Sequence, residues 1–168
     1  MSARLLCSIA VLISGCTGTP GATDASMALA DAAVPPFSCE VTDLSSQPFV
    51  FSVGAAGPRP PFTFEALRDG KFVLSSIVEY ESSPGQVGTV GVKRLFEFRG
   101  NRFRLTTGLM DGGVNAFAGD LWSVRPGHVM VESFCPVNDV VDHEFSYSDG
   151  GRLLISYGRN IDTYEVVE

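Results

Sequence analysis

The chain has 168 residues, 45% of them hydrophobic and only 18% charged, which suits one domain and excludes a wholly disordered polymer. Gly and Pro supply 28 residues between them and Phe another 12, a mixture of short strands and turns that excludes a helical bundle. Nineteen acids against twelve bases give a net charge of −7, which argues against a nucleic-acid partner.

In chain order, Met1 to Arg4 is a short segment with a single base, and Leu5 to Ile13 is apolar except for Ser8. That length fits the apolar core of a signal peptide and is too short to span a bilayer. The run ends in Ile13-Ser14-Gly15-Cys16. This resembles the lipobox of bacterial lipoproteins: an aliphatic residue, two small residues and an obligatory cysteine. The resemblance implies that residues 1–15 are a lipoprotein signal peptide, that the Cys16 thiol takes a diacylglycerol, and that the new amino group is acylated. The competing reading is an ordinary secretory leader cut near Ala22 or Ala25. Several acyl chains, at about 0.8 kcal/mol per buried methylene, anchor a protein stably to a membrane. Thr17, in place of Asp, favours the outer membrane, so the expected location is the bacterial envelope, with the domain in the periplasm or at the cell surface.

Thr17 to Pro36 is built from Ala, Gly, Thr, Ser and Pro with two Asp and no aromatic residue. Such a composition cannot offset its own ordering entropy, so residues 16–36 read as the lipidated cysteine and a disordered tether. Of the four cysteines, Cys7 leaves with the leader and Cys16 carries lipid. Cys39 and Cys135 remain in an oxidising compartment, where they are expected to form a disulfide. The alternative, a metal or redox site, lacks CxxC spacing and has only His128 and His143 to draw on. No metal and no cofactor is expected.

Residues 37–168 form the domain, and their period is two. Phe49, Phe51 and Val53 alternate with Val50 and Ser52 as a first strand. Gly57-Pro-Arg-Pro-Pro61 then imposes an extended loop that cannot sit inside a sheet. Thr63 to Arg68 is read as one helical turn, and six or seven strands follow. In Phe96-Glu-Phe-Arg-Gly-Asn-Arg-Phe-Arg-Leu105 a two-residue loop with Gly first fits a type II′ hairpin. It sets Phe98 opposite Phe103, Phe96 opposite Leu105 and Glu97 opposite Arg104, one face apolar and the other charged. Around Asp149-Gly150-Gly151 a three-residue loop matches Tyr147 with Leu153 and Phe145 with Ile155. A third hairpin turns at Pro126-Gly127.

From Asp69 to Glu168 the pattern Asp69-Gly-Lys-Phe72-Val-Leu74, Gly119-Asp-Leu-Trp122, Cys135-Pro136 and Phe145 to Ile155 resembles bacterial lipocalin-like proteins. The resemblance implies an all-β, antiparallel up-and-down barrel of about eight strands, with an interior able to hold a cavity. A β-sandwich is the alternative. Phe72, Phe96, Phe98, Phe103, Trp122, Phe145 and Tyr147 are the candidate cavity residues, set against the simpler reading that they fill the barrel.

No nucleophile elbow, phosphate-cradling Gly loop or His-rich zinc motif occurs, and no catalytic residue is assigned. In Asp142-His143-Glu144 strand alternation points the imidazole away from both acids. Lys93, Arg94, Arg99, Arg102 and Arg104 form a basic stretch, with Arg99, Arg102 and Arg104 the candidate exterior patch. It reads as a solvated face, or as a dock for an acidic partner or for the phosphate-rich lipid surface. Two non-enzymatic functions remain: binding a small apolar molecule inside the barrel, or acting on a protein partner through its exterior with the barrel filled.

Overall fold

The computed structural model describes residues 35–62, 67–125, 127–148 and 150–167. The lipobox, the tether up to residue 34 and most of the expected helical turn lie outside the described residues. Among the described residues there are ten strands: β1 (Ser52–Ala55), β2 (Gly70–Tyr80), β3 (Gly85–Gln86), β4 (Val92–Arg99), β5 (Arg102–Leu109), β6 (Val114–Arg125), β7 (His128–Cys135), β8 (Asp139–Tyr147), β9 (Leu153–Tyr157) and β10 (Asn160–Val167). From β4 onward each strand pairs antiparallel with the next, β4 pairs with β2, and β10 returns to β2. The result is a closed eight-stranded up-and-down barrel, not a sandwich. Closure leaves these eight strands no long edge to template aggregation.

The turns follow the local chemistry. Phe98 faces Phe103, Phe96 faces Leu105 and Glu97 faces Arg104, with Gly100 at a φ of 62° as the first turn residue. Tyr147 faces Leu153 and Phe145 faces Ile155, and Gly151 takes the left-handed conformation that closes the longer loop. Trp122 faces Met130 across the third hairpin.

The start of the domain differs from the alternation reading. β4 pairs with β2 only from Leu95 to Phe98, opposite Val73 to Gly70. Beyond that point the two strands part. Val50 bridges to Val92 on one side of the gap, and β1 runs parallel to Ile77–Tyr80 on the other. The first strand is therefore Ser52–Ala55 and not Phe49–Val53. Period-two patterning registers a strand but not which partner takes it, and here two partners share the segment. Gly54 is required in this wedge, since a Cβ there would lie 2.0 Å from the Ser83 carbonyl oxygen.

Ahead of β1, residues 37–50 cross the outside of β4–β7 as a strap. Cys39 is disulfide-bonded to Cys135 at the end of β7, with the Cα atoms 6.1 Å apart. Thr42 N–H donates to Thr106 Oγ1 at 3.3 Å, and Lys93 Nζ donates to the Leu44 carbonyl at 3.2 Å. The outward side chains beneath the strap are small: Thr106, Gly108, Ala116 and Ala118. Thr106 is wholly buried and Leu44 nearly so.

Candidate functional site

Strand alternation turns Phe72, Phe96, Phe98, Phe103, Phe145 and Tyr147 into the barrel, where the five Phe are 0–3% exposed. They meet one another. Phe96 stacks on Phe98 with centroids 4.8 Å apart, Phe72 and Phe98 meet edge-on at 5.7 Å, and Phe98 meets Phe145 at 6.4 Å. Phe103 lies 5.9 Å from Phe96, and Tyr147 lies 6.4 Å from Phe72. These separations are those of packed aromatic pairs. Trp122 is the exception. It is 41% exposed and stands on the outside of β6, because Leu121 takes the inward position. The expectation that Trp122 lines the interior is thus corrected.

The same alternation carries Arg94, two residues before Phe96, into the barrel and away from the exterior stretch to which the sequence assigned it. Inside, its guanidinium forms an ion pair with Asp162 of β10 and lies 5.4 Å from the Tyr157 ring centre. Tyr164 donates its hydroxyl hydrogen bond to Asp162 at 3.3 Å. Burial works against the Arg94 charge, but Tyr164, Asp162 and Tyr157 outweigh it and hold the guanidinium protonated. Desolvation pushes the Asp162 carboxyl up against the pull of Arg94, and with the help of the Asp162 charge it pushes the Tyr157 hydroxyl up to about 12. One part of the interior is thus aromatic and another is an ion pair satisfied by tyrosines. Once Phe96 and Phe98 were assigned inward, the i, i−2 spacing of Arg94 was the available signal for this group.

The exterior arginines are not a uniformly solvated face. Arg104 Nε donates to Glu97 Oε2 at 2.6 Å, and Glu97 is only 4% exposed because the strap lies over it, with Thr42 Oγ1 donating to the same carboxylate at 3.3 Å. Phe37 at the start of the strap lies against Arg99 and Arg104, 4.6 and 5.3 Å from its ring centre. Arg102 is paired with Asp120 at 3.4 Å. Of the three, Arg99 alone falls in the exposed class. Strap and patch are one packed unit, which local pattern could not reveal.

The remaining polar cluster is a cleft of about 380 Å³ lined by Arg59, His128, Asp142, Glu144 and Ser156, with His143 and Tyr157 at its wall. His143 points away from its neighbouring acids, as alternation requires, and packs on Tyr157 at 4.7 Å. The acids instead meet His128, the first residue of β7, whose Nδ1 is 3.1 Å from Asp142 and whose Nε2 is 3.9 Å from Glu144. Glu144 also pairs with Arg59, which donates to Ser156 Oγ at 2.8 Å. Burial raises the Glu144 carboxyl, but the hydrogen bonds from Arg59 and Ser156 outweigh it and hold the group below its ordinary range. Ser156 Oγ accepts from Arg59, and His143 Nδ1 lies 3.2 Å from the Ser156 carbonyl oxygen. The arrangement orients charges across three segments.

No family model, curated protein or solved structure matches this chain. The closed eight-stranded barrel is the part of the lipocalin-like resemblance that geometry supports.

Proposed function

We propose that this chain is a non-enzymatic envelope lipoprotein, anchored to the outer membrane through lipid on Cys16, whose lipocalin-like barrel is filled and acts on a protein partner through its exterior. The observation that carries the choice between the two functions is the mutual packing of Phe72, Phe96, Phe98, Phe103 and Phe145. A cup for an apolar ligand needs a contiguous cavity of several hundred Å³, and rings in van der Waals contact occupy that space. The lipobox and the cysteine distribution support an exported, anchored chain.

Two measurements test the reading together. Metabolic labelling with a fatty acid should tag the wild type and leave Cys16→Ser untagged; a tagged mutant removes the anchor from the proposal. An apolar fluorescent probe should show no saturable one-to-one binding to the purified protein. Saturable uptake, with displacement by a retained host molecule, would restore the ligand-cup function in its place.

A further inference from the structure

We propose that the outer face of β6, β7 and β8 is the docking surface for a protein partner that presents basic side chains around an apolar anchor. This rests on the reading that the barrel works through its exterior, and it names where and with what chemistry.

The face follows from register. Its outward rows set Asp120 opposite Glu132 and Glu132 opposite Val140, then Trp122 opposite Met130 and Met130 opposite Asp142. Along β6 the outward residues change abruptly. Ala116 and Ala118 are small and buried under the strap, whereas Trp122 is 41% exposed. Phe134 and Val140 on the neighbouring strands are 47% and 50% exposed. Among the described residues the strap crosses β4–β6 and meets β7 at its Cys135 end through the disulfide, and Arg59 of the following loop reaches Glu144 and Ser156 at β8 and β9. The outward row of Asp120, Trp122, Met130, Glu132 and Val140 lies between these two contacts. Tryptophan exposed opposite Met130, one row from Val140 on a rigid sheet, is the composition of an interface anchor, since burying it yields large apolar area at little entropy cost.

Charge selects the occupant. Asp120 and Glu132 are directly opposed across the β6–β7 ladder, and like charges so placed are destabilising. Arg102 reaches Asp120 from β5, and no described side chain pairs with Glu132. Lysine or arginine from a partner would relieve that repulsion while an apolar side chain covers Trp122. An anionic lipid surface would be repelled by the same carboxylates. A second copy docked through a two-fold axis would set acid against acid.

Trp122 is the only tryptophan, so its emission reports on this face. The test titrates the full chain with a tryptophan-free peptide alternating lysine and leucine, and with its glutamate–leucine counterpart. The expected result is saturable one-to-one binding of the cationic peptide with a blue shift of Trp122, and none with the anionic one. Glu132→Lys should weaken binding about tenfold or more and Glu132→Gln by less, whereas Glu81→Lys, the same charge change on a distant loop, should weaken it less than about twofold. Equal weakening by Glu132→Lys and Glu81→Lys would reduce the effect to bulk charge and overturn the proposal. So would an unshifted Trp122, a larger shift with phosphatidylcholine–phosphatidylglycerol vesicles than with the peptide, or concentration-dependent dimerisation lost in Glu132→Lys. The anchor and the filled barrel fail through fatty-acid labelling and interior probe uptake, neither of which moves these readouts.

Discussion

Replacing Phe96 by Ala is the sharpest probe of whether the barrel is filled. The ring is 2% exposed, stacked on Phe98 at 4.8 Å and edge-on to Tyr164 at 5.8 Å. Truncating a buried Phe to Ala costs about 3–5 kcal/mol, through lost transfer energy and the cavity left behind. Each ring pair, including that with Phe103 at 5.9 Å, adds roughly 0.5–1.5 kcal/mol beyond burial, which places this site at the top of the range, about 4–5 kcal/mol. For a slope of about 1.5–2 kcal/mol per molar, the urea midpoint should fall by roughly 2–3 M. Unfolding is best followed by far-ultraviolet circular dichroism, because Trp122 is already solvent-exposed in the native state. Trp122→Ala is the matched control and should cost less than about 1 kcal/mol. A loss below about 1 kcal/mol for Phe96→Ala, or one equal to the control, would mean that the ring borders empty space. The filled-barrel reasoning would then fail.

The Cys39–Cys135 disulfide spans 96 residues of chain, so the double Ser variant should lose up to about 4–5 kcal/mol against the oxidised protein, and a loss near zero in denaturant titrations would contradict a strap pinned by that bond. A Cβ on Gly119 would lie 1.8 Å from the Glu132 carbonyl oxygen, whereas one on Gly57 meets nothing within 4 Å. Gly119→Ala should therefore destabilise by more than about 2 kcal/mol and Gly57→Ala by less than about 0.5; similar melting shifts for the two would show that the β6–β7 contact yields easily. Burial holds the His143 imidazole below its ordinary pKa of 6.5, against its hydrogen bond to Ser156 and the charge of Asp142. The unfolded chain takes up a proton that the native state resists, so stability should fall as pH drops below about 6.5. His143→Phe should flatten that decline between about pH 7.5 and pH 5.5, and an unchanged slope in paired denaturation curves would remove His143 as its source.

Local chemistry made much of the barrel legible. Gly100 and Gly151 select their turn types through the left-handed conformations that glycine accepts. Once a turn is set, period-two alternation decides that Phe96, Phe98, Phe103 and Phe145 face inward, because a one-residue slip would bury Arg102 and Arg104. The same rule turned His143 away from Asp142 and Glu144. Each of these is a short-range constraint, carried by fewer than a dozen consecutive residues.

The strap, the seam and the docking face needed the tertiary structure. Thr42 meets Thr106 and Glu97 across more than fifty residues, and nothing local to Glu97 distinguishes a covered carboxylate from a solvated one. The small outward residues Gly108, Ala116 and Ala118 were a clue, but smallness alone does not name the segment that covers them. The preference of aromatic residues for interiors predicts Trp122 inward, whereas its neighbour Leu121 holds that position and the register leaves Trp122 outside. His128 meets Asp142 and Glu144 only when β7 and β8 pair. By itself the sequence determined the glycine turns, the faces of the strands those turns register and the two domain cysteines able to bond, because these depend on backbone sterics and on residues near in the chain. Closure of the barrel decided what covers each face, because that depends on contacts between segments whose separation in sequence leaves no periodic trace.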